Sequence, residues 1–270
     1  MPFLAAVLLQ AQAAVFAPPL GVPISIVTTR TQGDGPSRLT VHVARTVRFA
    51  RDGIGYRAEV VLTEADTGDR VDTAAMVQAG FAGLAGRPMT FRLDAAGRIV
   101  GIDDRQAIWD RFCAGIVAIV AARHGHGTPA ERAALAEQMA APLRALPPER
   151  QQAMLGSLVS ALVATGGNEP PGTRPIRVPG GSPFGGSVEL TGTRSIASDG
   201  ALTRVTTRAA ADVPQADGPG ARIELEDEND NDPRTGLVTA HSDTLRTTIG
   251  TGAAERVTER LTTVTITLGN

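Results

Sequence analysis

The sequence predicts an α+β fold: a curved antiparallel β-sheet of about 8–10 strands with a three-helix insertion packed on one face. Three observations carry this. Segments that alternate with period two lie both before and after the middle of the chain. Turn residues of the hairpin type separate them, and residues 103–165 switch to helical periodicity. No interdomain linker bounds either set of strands, so one interrupted sheet is the more economical arrangement than two independent domains.

From Leu39 the alternation is clear. Leu39, Val41, Val43, Val47 and Phe49 face one way, and Thr40, His42, Thr46 and Arg48 the other, as in a half-buried strand. Asp52-Gly53 supplies a hairpin turn, because glycine tolerates positive φ. The return strand carries Tyr56, Ala58, Val60 and Leu62 on its inner face. A short helix is expected over 74–84, ending near Gly86. A second hairpin joins 89–93 to 98–102 through the turn Asp94–Gly97.

Asp103 or Asp104 then caps a helix whose apolar positions are Ile108, Trp109, Phe112, Ile116, Val117, Ile119 and Val120. It is apolar nearly all round, which implies burial on several sides. Thr128, Pro129 and Glu131 form a capping box with proline at the first helical position. The helix they open carries Leu135, Met139, Leu143 and Leu146. Pro147-Pro148 opens a third, striped by Leu155, Leu158, Val159, Leu162 and Val163 and ended by Gly166-Gly167.

Residues 166–187 are rich in Gly and Pro and read as a loop. Strands are expected again at 187–197 and 201–210, about the turn Ser198-Asp199-Gly200, and then at 222–226, 236–249 and 254–268. In the last, Val257 and Leu261 are out of phase with Val264, Ile266 and Leu268. A β-bulge near Thr262-Thr263 would bring both sets to one face.

The charge balance, 26 basic against 28 acidic residues, lacks the basic excess of a nucleic-acid binder. Every basic residue is Arg, which fits a GC-rich genome. Aromatic residues make up only 3%, so the core is built from Val, Leu, Ile and Ala. Cys113 is the sole cysteine, which rules out an intramolecular disulfide. It lies four residues after Trp109 on the apolar helix, where an inert core thiol is expected.

Residues 1–13 are expected to be a signal peptide: the apolar run Phe3–Leu9 precedes Ala11-Gln12-Ala13, the small-x-small pattern a signal peptidase accepts. The proline-rich stretch from Phe16 to Pro23 cannot continue a helix. Residues 14–270 are then a single periplasmic or secreted domain. No later stretch reaches the roughly 20 apolar residues of a membrane span.

Among chemical motifs, Asp227-Glu-Asn-Asp-Asn-Asp-Pro233 is the sharpest. Its seven residues resemble the D-x-N-D-N-x-P linker of cadherins, which implies calcium and makes Asp227, Asn229, Asp230 and Asp232 candidate metal ligands. Oxygen donors of this kind suit a hard cation. An EF-hand loop would need Gly and Glu where Asp232 and Val238 stand. The competing reading is an acidic hairpin tip turned by Pro233 and Gly236.

His124-Gly-His126 offers two ligands only, and zinc takes three or four. Ser182 is not on a strand–turn–helix elbow. Gly80, Gly83 and Gly86 do not follow a strand and make no phosphate loop. No catalytic residue and no cofactor are expected.

The stretch Gly86-Arg-Pro-Met-Thr-Phe-Arg-Leu-Asp-Ala-Ala-Gly97, followed by Trp109, resembles uncharacterised exported (periplasmic) proteins of alphaproteobacteria. That resemblance spans most of the chain and implies no known activity. More loosely, the architecture is similar to the LolA/LolB lipoprotein carriers, in which a curved sheet holds helices over an apolar cavity. It implies topology alone.

The resulting expectation is a non-enzymatic envelope protein that binds an apolar ligand, lipid or otherwise, or a protein partner between sheet and helices. Ile108, Trp109, Phe112 and Ile116 would line that space, unless they fill a solid core. The alternatives are a structural or interaction module without ligand, and a hydrolase using carboxylates such as Asp103 and Asp104.

Overall fold

A computed structural model describes residues 16–33, 39–65, 73–123, 127–164, 169–215, 218–250 and 255–269. The leader expected over 1–13 and the pair His124 and His126 lie outside them. Among the described residues the fold is α+β as expected: eleven strands in one open, curved antiparallel sheet, with four helices.

The chain starts in the middle of the sheet. It runs through β1 (Ile24–Gln32), β2 (Leu39–Asp52), β3 (Gly55–Ala65), helix α1 (Thr73–Ala82), β4 (Pro88–Leu93) and β5 (Ile99–Ile102) to one edge. Helices α2 (Arg105–Arg123), α3 (Pro129–Arg144) and α4 (Pro148–Ser160) then carry it across. It re-enters at the opposite edge with β6 (Gly172–Gly181) and returns inward through β7 (Ser187–Ser198), β8 (Thr203–Val213), β9 (Ala221–Asp232), β10 (Leu237–Ile249) and β11 (Arg256–Leu268). The order is β5-β4-β3-β2-β1-β11-β10-β9-β8-β7-β6. The two halves of the chain therefore meet where β1 pairs with β11, with Ile24 opposite Leu268 and Gln32 opposite Arg260.

The capping box forms as expected: the Glu131 N–H donates to Thr128 Oγ1 at 3.3 Å, and the Thr128 N–H donates to Glu131 Oε2 at 2.7 Å. Four features depart from the sequence reading. β1 is an additional strand; its inner-facing Thr28 and Arg30 interrupt the apolar alternation begun by Ile24 and Ile26. β6 runs through the Gly/Pro-rich stretch, because Arg174, Ile176 and Val178 alternate inward. Pro175 and Pro179 are tolerated on the outermost strand, where a missing donor breaks no ladder.

β9 extends to Asp232, so the acidic segment is strand rather than loop, and the turn is Pro233–Gly236 with Gly236 at φ 67°. β11 carries no bulge: its register against β10 and β1 is continuous. Val257 and Leu261 thus point to the outer face, and Val264 and Ile266 inward. Their phase difference marks two faces of one strand.

The main core lies between the helices and the inner face of β1–β5. Trp109 stacks on Phe112 with ring centroids 4.9 Å apart, and Phe81 meets Phe112 edge-on at 5.3 Å. Helix α1 crosses α2 at contact distance through glycines. A Cβ on Gly115 would lie 2.6 Å from the Ala79 carbonyl oxygen and 2.9 Å from Gly83 Cα. The glycine spacing at 80 and 83 serves this crossing.

One buried cation fastens helix to sheet. Arg45, on the inner face of β2 and 4% exposed, donates from Nε to the Leu158 carbonyl at 2.8 Å and from Nη1 to Thr28 Oγ1 at 3.0 Å. Leu158 is in the last turn of α4, where carbonyls lack intrahelical partners and cations are favoured. Burial lowers the Arg45 pKa to about 10, so it stays charged at neutral pH.

Candidate functional site

The substantial helix–sheet contacts fall on β3 and β5: α1 packs on β3, and α4 on β3 and β5. Among the described residues, the inner face of β6–β10 has no comparable helix packing, although at one end residues 162–164 pair with the start of β10 and Ile196, Val205 and Asn231 are buried. There, alternation sorts the side chains into rows that run across the strands.

One row is charged. Register places Arg174 of β6 beside Arg194 of β7, Arg194 beside Thr207, Thr207 beside Asp227, Asp227 beside Asp243, and Asp243 beside Thr262. Glu169, just before β6, pairs with Arg174 and lies 3.7 Å from Arg194 Nη1. Arg260 Nη2 is 3.6 Å from the Asp243 carboxylate. His241 sits between the two aspartates, its Nδ1 3.5 Å from Asp227 and its Nε2 3.6 Å from Asp243.

Asn229 orders this group. Its Nδ2 donates to Asp227 at 2.7 Å, so its Oδ1, 2.8 Å from His241 Nδ1, accepts the proton on that ring nitrogen. The remaining Nε2 faces a carboxylate. The Asp243 carboxylate, with the charge of Asp227, holds the histidine pKa above its ordinary value against the effect of burial. Burial pushes Asp227 up. Burial also acts on Asp243 but is outweighed there by His241, Thr262 and Arg260, which bring that carboxyl below its usual range.

The next two rows are apolar. Ala209, Leu225 and Leu245 lie one pleat repeat from the charged row, and Leu190 and Ile223 one repeat further. Leu190, Ala209 and Ile223 are closed off from solvent and form the floor. Val178, Val188, Val213, Leu225 and Leu245 are half-buried around them. Where β8 turns into β9 a pocket of about 650 Å³ opens at the sheet margin, lined by residues of both faces, Val213 and Ala221 from the inner and Asp212, Arg222 and Thr248 from the outer.

The outer face of the same strands is different. There Arg204 makes a bidentate pair with Asp230, Arg208 donates from Nε and Nη2 to Glu226 Oε1, and Arg222 bonds Asp212 and Glu224. It is a solvated ladder of opposite charges.

The residues singled out from sequence fall elsewhere or apart. Ile108, Trp109, Phe112 and Ile116 are at most 2% exposed and belong to the main core. Their side chains fill the space that the sequence reading left for a ligand. Of the four candidate metal ligands, Asp227 and Asn229 point inward, whereas Asp230 and Asp232 point outward to Arg204 and Arg234. Strand alternation separates them, so they do not converge on one point. Among the described residues no group of three His, Cys, Asp or Glu side chains could hold a metal. Asp103 pairs with Arg92 at 3.0 Å, and Asp104, at φ 50°, receives the Ile108 N–H on its backbone carbonyl. Cys113 is buried.

The charged row was legible as a phase signal. Arg194 keeps phase with Leu190 and Ile196, Asp227 with Ile223 and Leu225, Asp243 with Leu245, and Arg260 with Val264. A charge at an inward position in four strands marks a face that is not all core.

A scan against protein-family models found no match, and a search of curated proteins found none. Among solved structures, lipovitellin, in a study of its lipid–protein interactions, aligns over 92% of this chain at 9% identity with a TM-score of 0.39. The alignment spans 25% of the lipovitellin chain. A putative outer membrane lipoprotein-sorting protein domain from Vibrio parahaemolyticus aligns over 92% of this chain and 86% of its own, at 8% identity and a TM-score of 0.17. At these scores neither likeness carries an argument about this chain. Among the described residues, no helix is long and apolar enough to cross a membrane.

Proposed function

We propose that this chain is a non-enzymatic envelope protein that binds an apolar ligand in the trough on the inner face of β6–β10. The supporting observation is the unequal cover of one continuous sheet face. Helices pack on the half formed by β2–β5, while Leu190, Ala209, Ile223, Leu225 and Leu245 form an apolar floor and wall beside a half-buried charged row. Apolar surface beside convergent polar groups is the usual character of a ligand site. Exported location rests on the expected leader over 1–13.

Uptake of a hydrophobic fluorophore such as N-phenyl-1-naphthylamine tests the reading. Saturable binding by the purified chain is expected, with about tenfold loss in Leu225→Asp, since a carboxylate in the wall opposes an apolar ligand. No uptake, together with no co-purified lipid in native mass spectrometry, would overturn it.

A further inference from the structure

Resting on that reading, we infer that the trough selects amphiphiles whose headgroup carries both a phosphate and an ammonium group. The apolar rows would take the alkyl chain, and the charged row one pleat repeat away meets whatever head that chain bears. Along the row the charges run Arg174 and Arg194, both beside Glu169, then Asp227, His241 and Asp243, with Arg260 reaching Asp243 from the neighbouring row. Two carboxylates occupy the centre, and an arginine stands on each flank.

A head of one sign meets the wrong partner here. An alkyl phosphate reaching either arginine brings its charge toward Asp227 or Asp243, and an alkylammonium reaching a carboxylate is set against the guanidinium beyond it. A head of both signs satisfies neighbouring members of the row together. Two details favour this occupant. Arg260 stands opposite Leu245, at the end of the first apolar row, and its guanidinium reaches back to Asp243, so a phosphate seated over that row would meet it. Asp227 carries a desolvated carboxylate on which an added cation would be favoured. An uncharged head gains nothing from either.

The test compares four surfactants of one chain length, each below its micelle concentration: dodecylphosphocholine, dodecyl phosphate, dodecyltrimethylammonium and dodecyl maltoside. Calorimetric titration into the full chain is expected to give about tenfold tighter binding of the phosphocholine than of each other head, the scale of one added charge pair at a half-buried site. In Asp227→Asn the advantage over dodecyl phosphate should vanish. In Arg260→Gln the advantage over dodecyltrimethylammonium should vanish.

Equal binding of all four to the unmodified chain, or tightest binding of a head of single sign, would overturn the headgroup selection and leave the apolar trough standing. Binding of none would remove the trough reading as well. The comparison on the unmodified chain decides the matter even if a variant fails to fold.

Discussion

The inner face of the half-sheet β2–β5 and that of β6–β10 obey the same alternation and lie on one continuous surface, yet they have become different things. In the first, inward residues share one core with the helices: Val47, Val60, Met89 and Phe91 cluster with Trp109, Phe112 and Ile116, and all are closed to solvent. In the second, inward positions carry arginines and aspartates in one row and aliphatic side chains of mixed exposure in the next. Alternation dictates which residues point inward. What covers them decides whether that side is core or site.

The largest effects should separate the halves by stability. Trp109→Ala is expected to cost about 4 kcal/mol, because it removes the ring stacked on Phe112 and leaves a cavity that the helices cannot collapse. Leu225→Ala in the trough should cost about 1 kcal/mol, since water already reaches that side chain. Urea unfolding of both variants checks the pair. Equal losses would show that the trough is as much core as the helix-covered half.

Much of the covered half was legible in the sequence, because local chemistry specifies it. Asp52-Gly53, Asp94–Gly97 and Thr128–Glu131 are turn and cap signals that need no tertiary partner. The open half was legible only in part. β6 was hidden by prolines that only an outermost strand tolerates, and strand order is not written in any one strand. The acidic run of β9 looked like one site because its residues are contiguous, although alternate members face opposite sides of the sheet. Conversely, the charged row draws its members from residues 169 to 260, so adjacency in the chain could not disclose it. Only a charge in apolar phase, repeated strand after strand, hinted at it.

Next in size is the fastening of helix to sheet. Arg45→Ala should cost about 3 kcal/mol by leaving the Leu158 carbonyl and Thr28 without their buried donor. Most of the loss should appear as local opening of α4, read by hydrogen exchange of its amides, while β7–β9 keep their protection. Uniform loss of protection across both halves would mean that the helices and the open half unfold as one unit. Gly115→Ala follows at about 2 kcal/mol, since the new methyl meets backbone of α1 and only a shift of the helix relieves it.

The smallest effect lies in the charged row and depends on pH. The folded chain holds the His241 proton more tightly than the unfolded chain does. Its contribution to stability is therefore complete below the ordinary value of 6.5 and is lost as pH rises through the higher folded value. Asp227, also raised, acts with the same sign but in the acid range. Asp243, lowered, contributes above its ordinary value and loses that contribution as pH falls through its folded value. Between about pH 6 and pH 8 only the histidine term changes, by less than about 1 kcal/mol for so partly exposed a group. The urea midpoint should thus fall slightly over that window in the unmodified chain, and His241→Gln should flatten the fall. An identical slope in both would show that the two aspartates do not hold the imidazolium between them. The charged row would then be a set of separate strand residues rather than one connected surface beside the trough.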